Sequence, residues 1–98
     1  MQQALNSINS TTVQEQFTGV NTLFREANFY GYSGFTASGS PINNKQTVYF
    51  GFNSGALPFS VAPGASFTYD LYTVQERESL ENLWFMGVAL DGLYVVWH

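Results

Sequence analysis

His98 is the only histidine in the chain and stands at its last position, and no cysteine occurs. A nucleophilic triad needs an imidazole fixed by packing and oriented by a carboxylate. A terminal position suits that poorly, so His98 reads as a terminal strand residue without a chemical role. One imidazole and no thiolate fall short of the ligand shell of a typical zinc site. Without Cys there are no disulfides and no thiol nucleophiles, and either redox compartment is compatible with the composition. Among the acids, Glu76, Glu78 and Glu81 lie close together, and Asp70 and Asp91 end strands. Such oxygens can hold calcium with help from backbone carbonyls. The spacing of an Asp-x-Asp-x-Asp-Gly loop is missing, however, and Arg77 among the glutamates suits a solvated face. A glycosidase would need two acids across a cleft, and two acids occur in any chain, so that pattern has no specificity.

The glycine-containing stretches Gly31-Tyr32-Ser33-Gly34 and Gly51-Phe52-Asn53-Ser54-Gly55 lack the Lys and the following helix of a phosphate cradle. Both read as β-turn glycines. No nucleophile–base pair presents itself, so the chain reads as non-enzymatic, with no cofactor and no metal. That leaves the rings. Tyr30, Tyr32, Tyr49, Tyr72, Tyr94, Trp84 and Trp97 could include a sugar-stacking platform. The plainer reading is core or subunit interface, where aromatic rings bury much area at low entropic cost.

Composition narrows the class further. Ninety-eight residues suit one domain with its own core. Aromatic residues make up 17% of the chain and charged ones only 10%, against roughly 25% charged in ordinary soluble domains. Uncharged Ser, Thr, Asn and Gln fill the difference. A net charge of −4 leaves little to keep a free monomer soluble, and assembly would hide apolar surface. Arg25, Lys45 and Arg77 are far apart in sequence and the pI is near 4.5, which excludes a nucleic-acid groove. No basic residue precedes Arg25 and no long apolar run opens the chain, so no signal peptide is read. The run Leu83 to Leu90 is too short to span a bilayer. A soluble protein made in the cytoplasm, without membrane insertion, is the expectation.

The elements that must carry these residues read as β. At the N-terminus, Ala4, Leu5 and Ile8 are spaced as one face of a short helix that would not hold alone. Residues 1–20 therefore read as an arm, either flexible or ordered against a neighbouring subunit. Within it, Thr11 to Phe17 has the alternation of an edge strand. Val20 to Tyr32 fits a long strand with a twist or bulge. Ser33 to Lys45, rich in Gly, Ser, Asn and Pro, reads as a loop. Gln46 to Phe52 is a strand, followed by a return strand that begins near Phe59 because Pro58 cannot donate to a ladder. After the corner Ala62-Pro63-Gly64, Ala65 to Leu71 has the cleanest period-2 alternation in the chain. Thr73 to Leu80 reads as one turn of helix or an ordered loop. Asn82 to Leu90 and Leu93 to Trp97, joined by Asp91-Gly92, read as a closing hairpin on a type I′ turn. It is apolar on both faces, one for the core and one for a second sheet or a subunit. Short strands with turn signals about every 8–12 residues are the pattern of an antiparallel sandwich or small barrel.

The order Val48-Tyr49-Phe50-Gly51-Phe52-Asn53, Leu57-Pro58-Phe59, Ala62-Pro63-Gly64-Ala65-Ser66-Phe67, Leu80-Glu81-Asn82-Leu83-Trp84-Phe85 and Gly92-Leu93-Tyr94-Val95-Val96-Trp97 resembles small β-sandwich virion proteins of bacteriophages. These are decoration, cement, penton or spike-base parts. The resemblance covers residues 46–98 and implies a structural role through subunit contacts, without catalysis. The sequence thus predicts a single all-β domain, an antiparallel β-sandwich or jelly-roll-like small barrel over residues 21–98 behind a short N-terminal arm. The implied setting is the virion, as a homo-oligomer (trimer or pentamer) in contact with a major capsid or other virion protein. Candidate interface residues are Leu5, Ile8, Phe17, Trp84, Met86, Tyr94 and Trp97. The competing expectation is a carbohydrate- or receptor-binding module using aromatics near the Ser33–Lys45 and Tyr72–Glu81 loops.

Overall fold

The computed structural model describes residues 2–18, 22–71 and 77–98. In chain order the strands are β1 (Gln2–Ser7), β2 (Glu15–Gln16), β3 (Leu23–Phe24), β4 (Glu26–Tyr30), β5 (Tyr32–Phe35) and β6 (Pro41–Asn43). They continue with β7 (Val48–Gly51), β8 (Phe59–Val61), β9 (Ser66–Asp70), β10 (Glu78–Ser79), β11 (Trp84–Met86) and β12 (Gly92–Trp97). A 3-10 turn, Leu80–Asn82, precedes β11; the Ser79 hydroxyl caps it by accepting from the Glu81 N–H at 3.1 Å. The fold is all-β and every pairing between strands is antiparallel. Sheet I has the order β1-β12-β4-β9 and sheet II the order β2-β11-β7-β8. Two short pairs, β3 with β10 and β5 with β6, complete the set. Among the described residues no sheet closes into a barrel.

Period-2 alternation in the sequence becomes two-facedness in the sheets. Ala27 and Phe29 of β4, Leu93, Val95 and Trp97 of β12, and Val48 and Phe50 of β7 are all buried. Between the sheets the rings interlock: Phe29 of sheet I stacks on Phe50 of sheet II with centroids 4.5 Å apart. Phe67 meets Phe50 edge-on at 5.5 Å, and Phe17, just after β2, meets Trp97 edge-on at 5.8 Å. Such pairs add about 0.5–1.5 kcal/mol each beyond the area they bury, so the two sheets are held in one mutual position.

Several local expectations are revised. The segment with Ala4, Leu5 and Ile8 is not a helix face but β1, paired along its length with β12 from Gln2↔Trp97 to Ser7↔Gly92. Of the long strand expected from Val20 to Tyr32, residues 20–21 lie outside the described residues, and the rest is not one strand. It breaks at Arg25, where the Arg25 N–H and carbonyl turn to His98 and Leu71, and again at Gly31. A Cβ on Gly31 would stand 2.4 Å from the Ala62 carbonyl oxygen, so only glycine lets the two turns meet. Ser33 to Lys45 is not an unstructured loop but contains the hairpin of β5 and β6, turning through Gly39 at φ 89°. Of the stretch expected from Thr73 to Leu80, residues 73–76 lie outside the described residues, Glu78–Ser79 is strand, and Leu80 opens the 3-10 turn.

The largest correction concerns the closing hairpin. β11 belongs to sheet II and β12 to sheet I, so Asp91-Gly92 does not join paired neighbours. The chain turns over Val88–Asp91 instead, with the Asp91 N–H bonded to the Val88 carbonyl at 3.1 Å and Leu90 at φ 77°. Asp91 is buried, and its two carboxylate oxygens accept from the backbone N–H groups of Lys45 (2.9 Å) and Gln46 (3.0 Å). An Asp-Gly pair chosen for a hairpin would leave its carboxylate in water; here it caps a facing loop.

Candidate interaction surfaces

The crossing from sheet II to sheet I is built from short polar side chains. The buried Asn44 side chain donates to the Gly92 carbonyl at 2.7 Å and accepts from the Gly92 N–H at 2.9 Å. Its own N–H donates to the Gly31 carbonyl at 2.9 Å. Ile8 is tied to the same corner by backbone bonds to Asp91 and Leu90 at 2.8 and 2.9 Å. Asp91 and Asn44 therefore satisfy buried backbone groups, and their chemistry is structural.

Outside the core, sheet I carries a second aromatic cluster. Tyr94 of β12 lies directly opposite Tyr30 of β4 and Leu5 of β1, all on the face away from sheet II. The β5–β6 hairpin lies against this face. Gly92 makes that possible, since a Cβ there would come within 2.8 Å of the Tyr32 carbonyl oxygen. Tyr30 and Tyr32 stack at 5.2 Å, Tyr32 stacks on Tyr94 at 6.0 Å, and Phe35 stands edge-on to Tyr94 at 4.9 Å. The Tyr94 hydroxyl donates to Gln3 Oε1. Burial, with smaller contributions from the Tyr30 and Tyr32 phenols, raises the Tyr94 pKa above its ordinary value. Phe35 remains 41% exposed at the rim and Leu5 37%. The rings occupy one another's faces, which suits an apolar contact surface better than a platform for sugars.

Sheet II carries a different feature on its outer side, a groove of about 760 Å³. Tyr49, Leu57, Met86 and Val88 contribute its apolar part, and Gln14, Gln46 and Lys45 its polar part. Tyr49 is 52% exposed and lies opposite Met86 in the ladder. Gln14 Oε1 accepts from the Gly55 N–H at 2.9 Å, joining the segment before β2 to the turn after β7. Lys45 is the one charged residue among those lining the groove.

The acids are dispersed. Glu15 accepts from the N–H and side-chain amide of Asn9, both at 2.8 Å, and Glu78 accepts from the Ser79 N–H at 2.9 Å and the Asn82 amide at 3.1 Å. Among the described residues no three His, Asp or Glu side chains come together as a metal site. Arg25 and Arg77, distant in sequence, share a cleft of about 280 Å³ with His98. That juxtaposition depends on β3–β10 pairing and was invisible in the linear order.

The seven candidate interface residues divide in two. Ile8, Phe17 and Trp97 are buried in the core between the sheets. Leu5 and Tyr94 stand on the outer face of sheet I, and Trp84 and Met86 on the outer face of sheet II, beside the inward Phe85. Sequence alternation separates odd from even positions in a strand, but it does not say which set faces in when both are apolar. Tyr30 and Phe35 belong to the same outer cluster as Tyr94, and no local pattern marks them, because only the β4–β12 pairing and the packing of the β5–β6 hairpin on sheet I bring the three rings together. No protein-family model, curated protein or solved structure matches this chain.

Proposed function

We propose that the chain is a non-enzymatic structural protein of a bacteriophage virion, a capsid decoration, cement or minor capsid component that acts through contacts between subunits. The strand order carries this reading. Taken along the chain, β1, β2, β4, β7, β8, β9, β11 and β12 fall in sheets I, II, I, II, II, I, II and I. Two four-stranded sheets visited in that sequence have the connectivity of a jelly-roll sandwich, and jelly rolls recur in viral capsid domains. A fold does not by itself assign a function. The outer aromatic cluster, the low charge and the resemblance of residues 46–98 supply the rest. Assembly is as a homo-oligomer, with a major capsid or other virion protein as second partner. An antibody to the full chain should find it in purified particles from the culture that makes it, in a fixed ratio to the major shell protein. Recovery in the soluble fraction alone overturns the proposal.

A second reading, a carbohydrate-binding module, is favoured by the groove on sheet II. A half-exposed tyrosine ring beside amide groups is the chemistry that stacks on a sugar ring and bonds its hydroxyls. Trp84, on the same strand as Met86, supplies a fluorescence signal. Titration with chitotriose or maltotriose that shifts this signal, and fails to in Tyr49→Ala, supports the module; no shift removes it.

A further inference from the structure

We propose that β1 is a pairing edge for a second copy of this chain, the two β1 strands meeting antiparallel about a two-fold axis. The inference rests on the virion reading only in giving that reading its first subunit contact. An exposed strand edge offers a row of unpaired N–H and C=O groups, and folded proteins guard such edges with charge, proline, bulges or brevity. Three of the four edges of the two large sheets are guarded in these ways. β2 has two residues and includes Glu15, β8 has three and follows Pro58, and β9 follows the Pro63-Gly64 corner and ends in Asp70. β1 has none of these devices. It is six residues long, its register against β12 is unbroken, and its sequence Gln-Gln-Ala-Leu-Asn-Ser holds neither charge nor proline. The first charged side chain of the chain is Glu15. Among the described residues, the backbone of residues 3–7 makes no bond beyond its ladder with β12.

A second copy is the occupant that this strand fits. A neutral strand meets its own copy without like charges opposing. Antiparallel self-pairing is isologous and closes at two copies. In-plane continuation of sheet I requires outer-face residues to face outer-face residues. Centring the pair on Leu5 meets that condition, with Leu5 opposite the partner's Leu5 and Gln3 opposite the partner's Ser7. It covers the exposed Leu5 and brings two Tyr94 clusters to flank the axis. A strand added at an edge draws affinity from main-chain bonds and specificity from alternate side chains, and here both are provided by the same segment. The two-fold pair differs from a ring of three or five copies.

The test uses the full chain, which has no cysteine of its own. Light scattering should give a dimer mass, and Leu5→Lys, which sets like charges face to face, should weaken association at least tenfold. Leu5→Cys should yield a covalent dimer under mild oxidation, and Ser66→Cys on the β9 edge should not. Because Leu5 is partly exposed, both variants should keep the thermal transition of the parent, and if Leu5→Lys fails to fold, the double variant Gln3→Lys with Ser7→Lys sets two pairs of like charges across the axis instead. A monomer mass at all concentrations overturns the pairing. A trimer or pentamer mass with no Leu5→Cys cross-link also overturns it, yet leaves the virion reading intact. A dimer in a protein absent from particles keeps the pairing and removes that reading.

Discussion

Asp91 shows how one carboxylate can hold two segments together. Its oxygens accept from two consecutive N–H groups, those of Lys45 and Gln46, in a buried corner. Asp91→Asn replaces one acceptor with an NH₂ that faces a donor. An unsatisfied buried donor costs about 1–3 kcal/mol, so this variant should lose about 2 kcal/mol of stability, read from its urea midpoint. Asn44→Ala strips partners from both the N–H and the carbonyl of Gly92 and should lose at least as much. Equal midpoints for parent and variants would mean that water replaces these bonds without loss. Tyr94 gives a prediction in pH. Its pKa is raised by burial and by the neighbouring Tyr30 and Tyr32 phenols, so the folded chain holds that proton more tightly than the unfolded one. The linked stability is therefore complete below the ordinary tyrosine value of 10.0 and is lost as pH rises through the raised value of Tyr94. In a tyrosinate absorbance titration, Tyr94→Phe should remove the latest step; an unchanged upper limb would refute the assignment.

At the scale of elements, the β5–β6 hairpin depends on what Gly92 lacks. A Cβ at Gly92 would meet the Tyr32 carbonyl oxygen at 2.8 Å and the Asn6 carbonyl oxygen at 3.1 Å, both backbone atoms. Gly92→Ala should thus lift the hairpin and cost about 1–3 kcal/mol, the usual range for overpacking. At Gly34 the nearest atom to an added Cβ is Ile42 Cδ1 at 4.0 Å, so Gly34→Ala should melt near the parent. The comparison by thermal melting isolates the steric contact from the general cost of replacing glycine. This scale also shows what the sequence could express. β7, β8 and β9 were legible because inward and outward positions differ in polarity and because Pro58 and Pro63-Gly64 mark their limits. β11 and β12 were legible as strands but not as members of different sheets. Each is an interior strand of its own sheet, with apolar residues on both faces, and two such strands around Asp-Gly look alike whether they pair with each other or not. The β1–β12 and β3–β10 pairings join segments far apart in sequence, and no local pattern encodes them. The aromatic cluster inherited that limit, since Tyr94, Tyr30 and Phe35 meet only after β12, β4 and β5 are placed.

For the whole molecule, the first and last strands are neighbours: β1 lies against β12, and β12 separates it from β4. Ile8 follows β1 directly, is buried, and packs where a Cβ on Gly87 would come within 2.8 Å of its Cδ1. A separable arm could be removed with no effect on the remaining sheets. Here removal of residues 1–8 takes away a six-residue ladder, bares the edge of β12, and leaves a cavity beside Gly87. The cavity alone is worth about 2–5 kcal/mol by analogy with large-to-small core changes. The truncated chain should therefore show a lower urea midpoint and weaker protection of β12 amides in hydrogen exchange. Leu5→Lys in the full chain touches only the outer face and should leave both unchanged. The contrast separates two duties of one segment: inward and ladder groups that complete sheet I, and an outer edge left for pairing. If the truncated chain keeps the parent's midpoint, β1 is an accessory to the fold, and its uncharged edge would serve assembly alone.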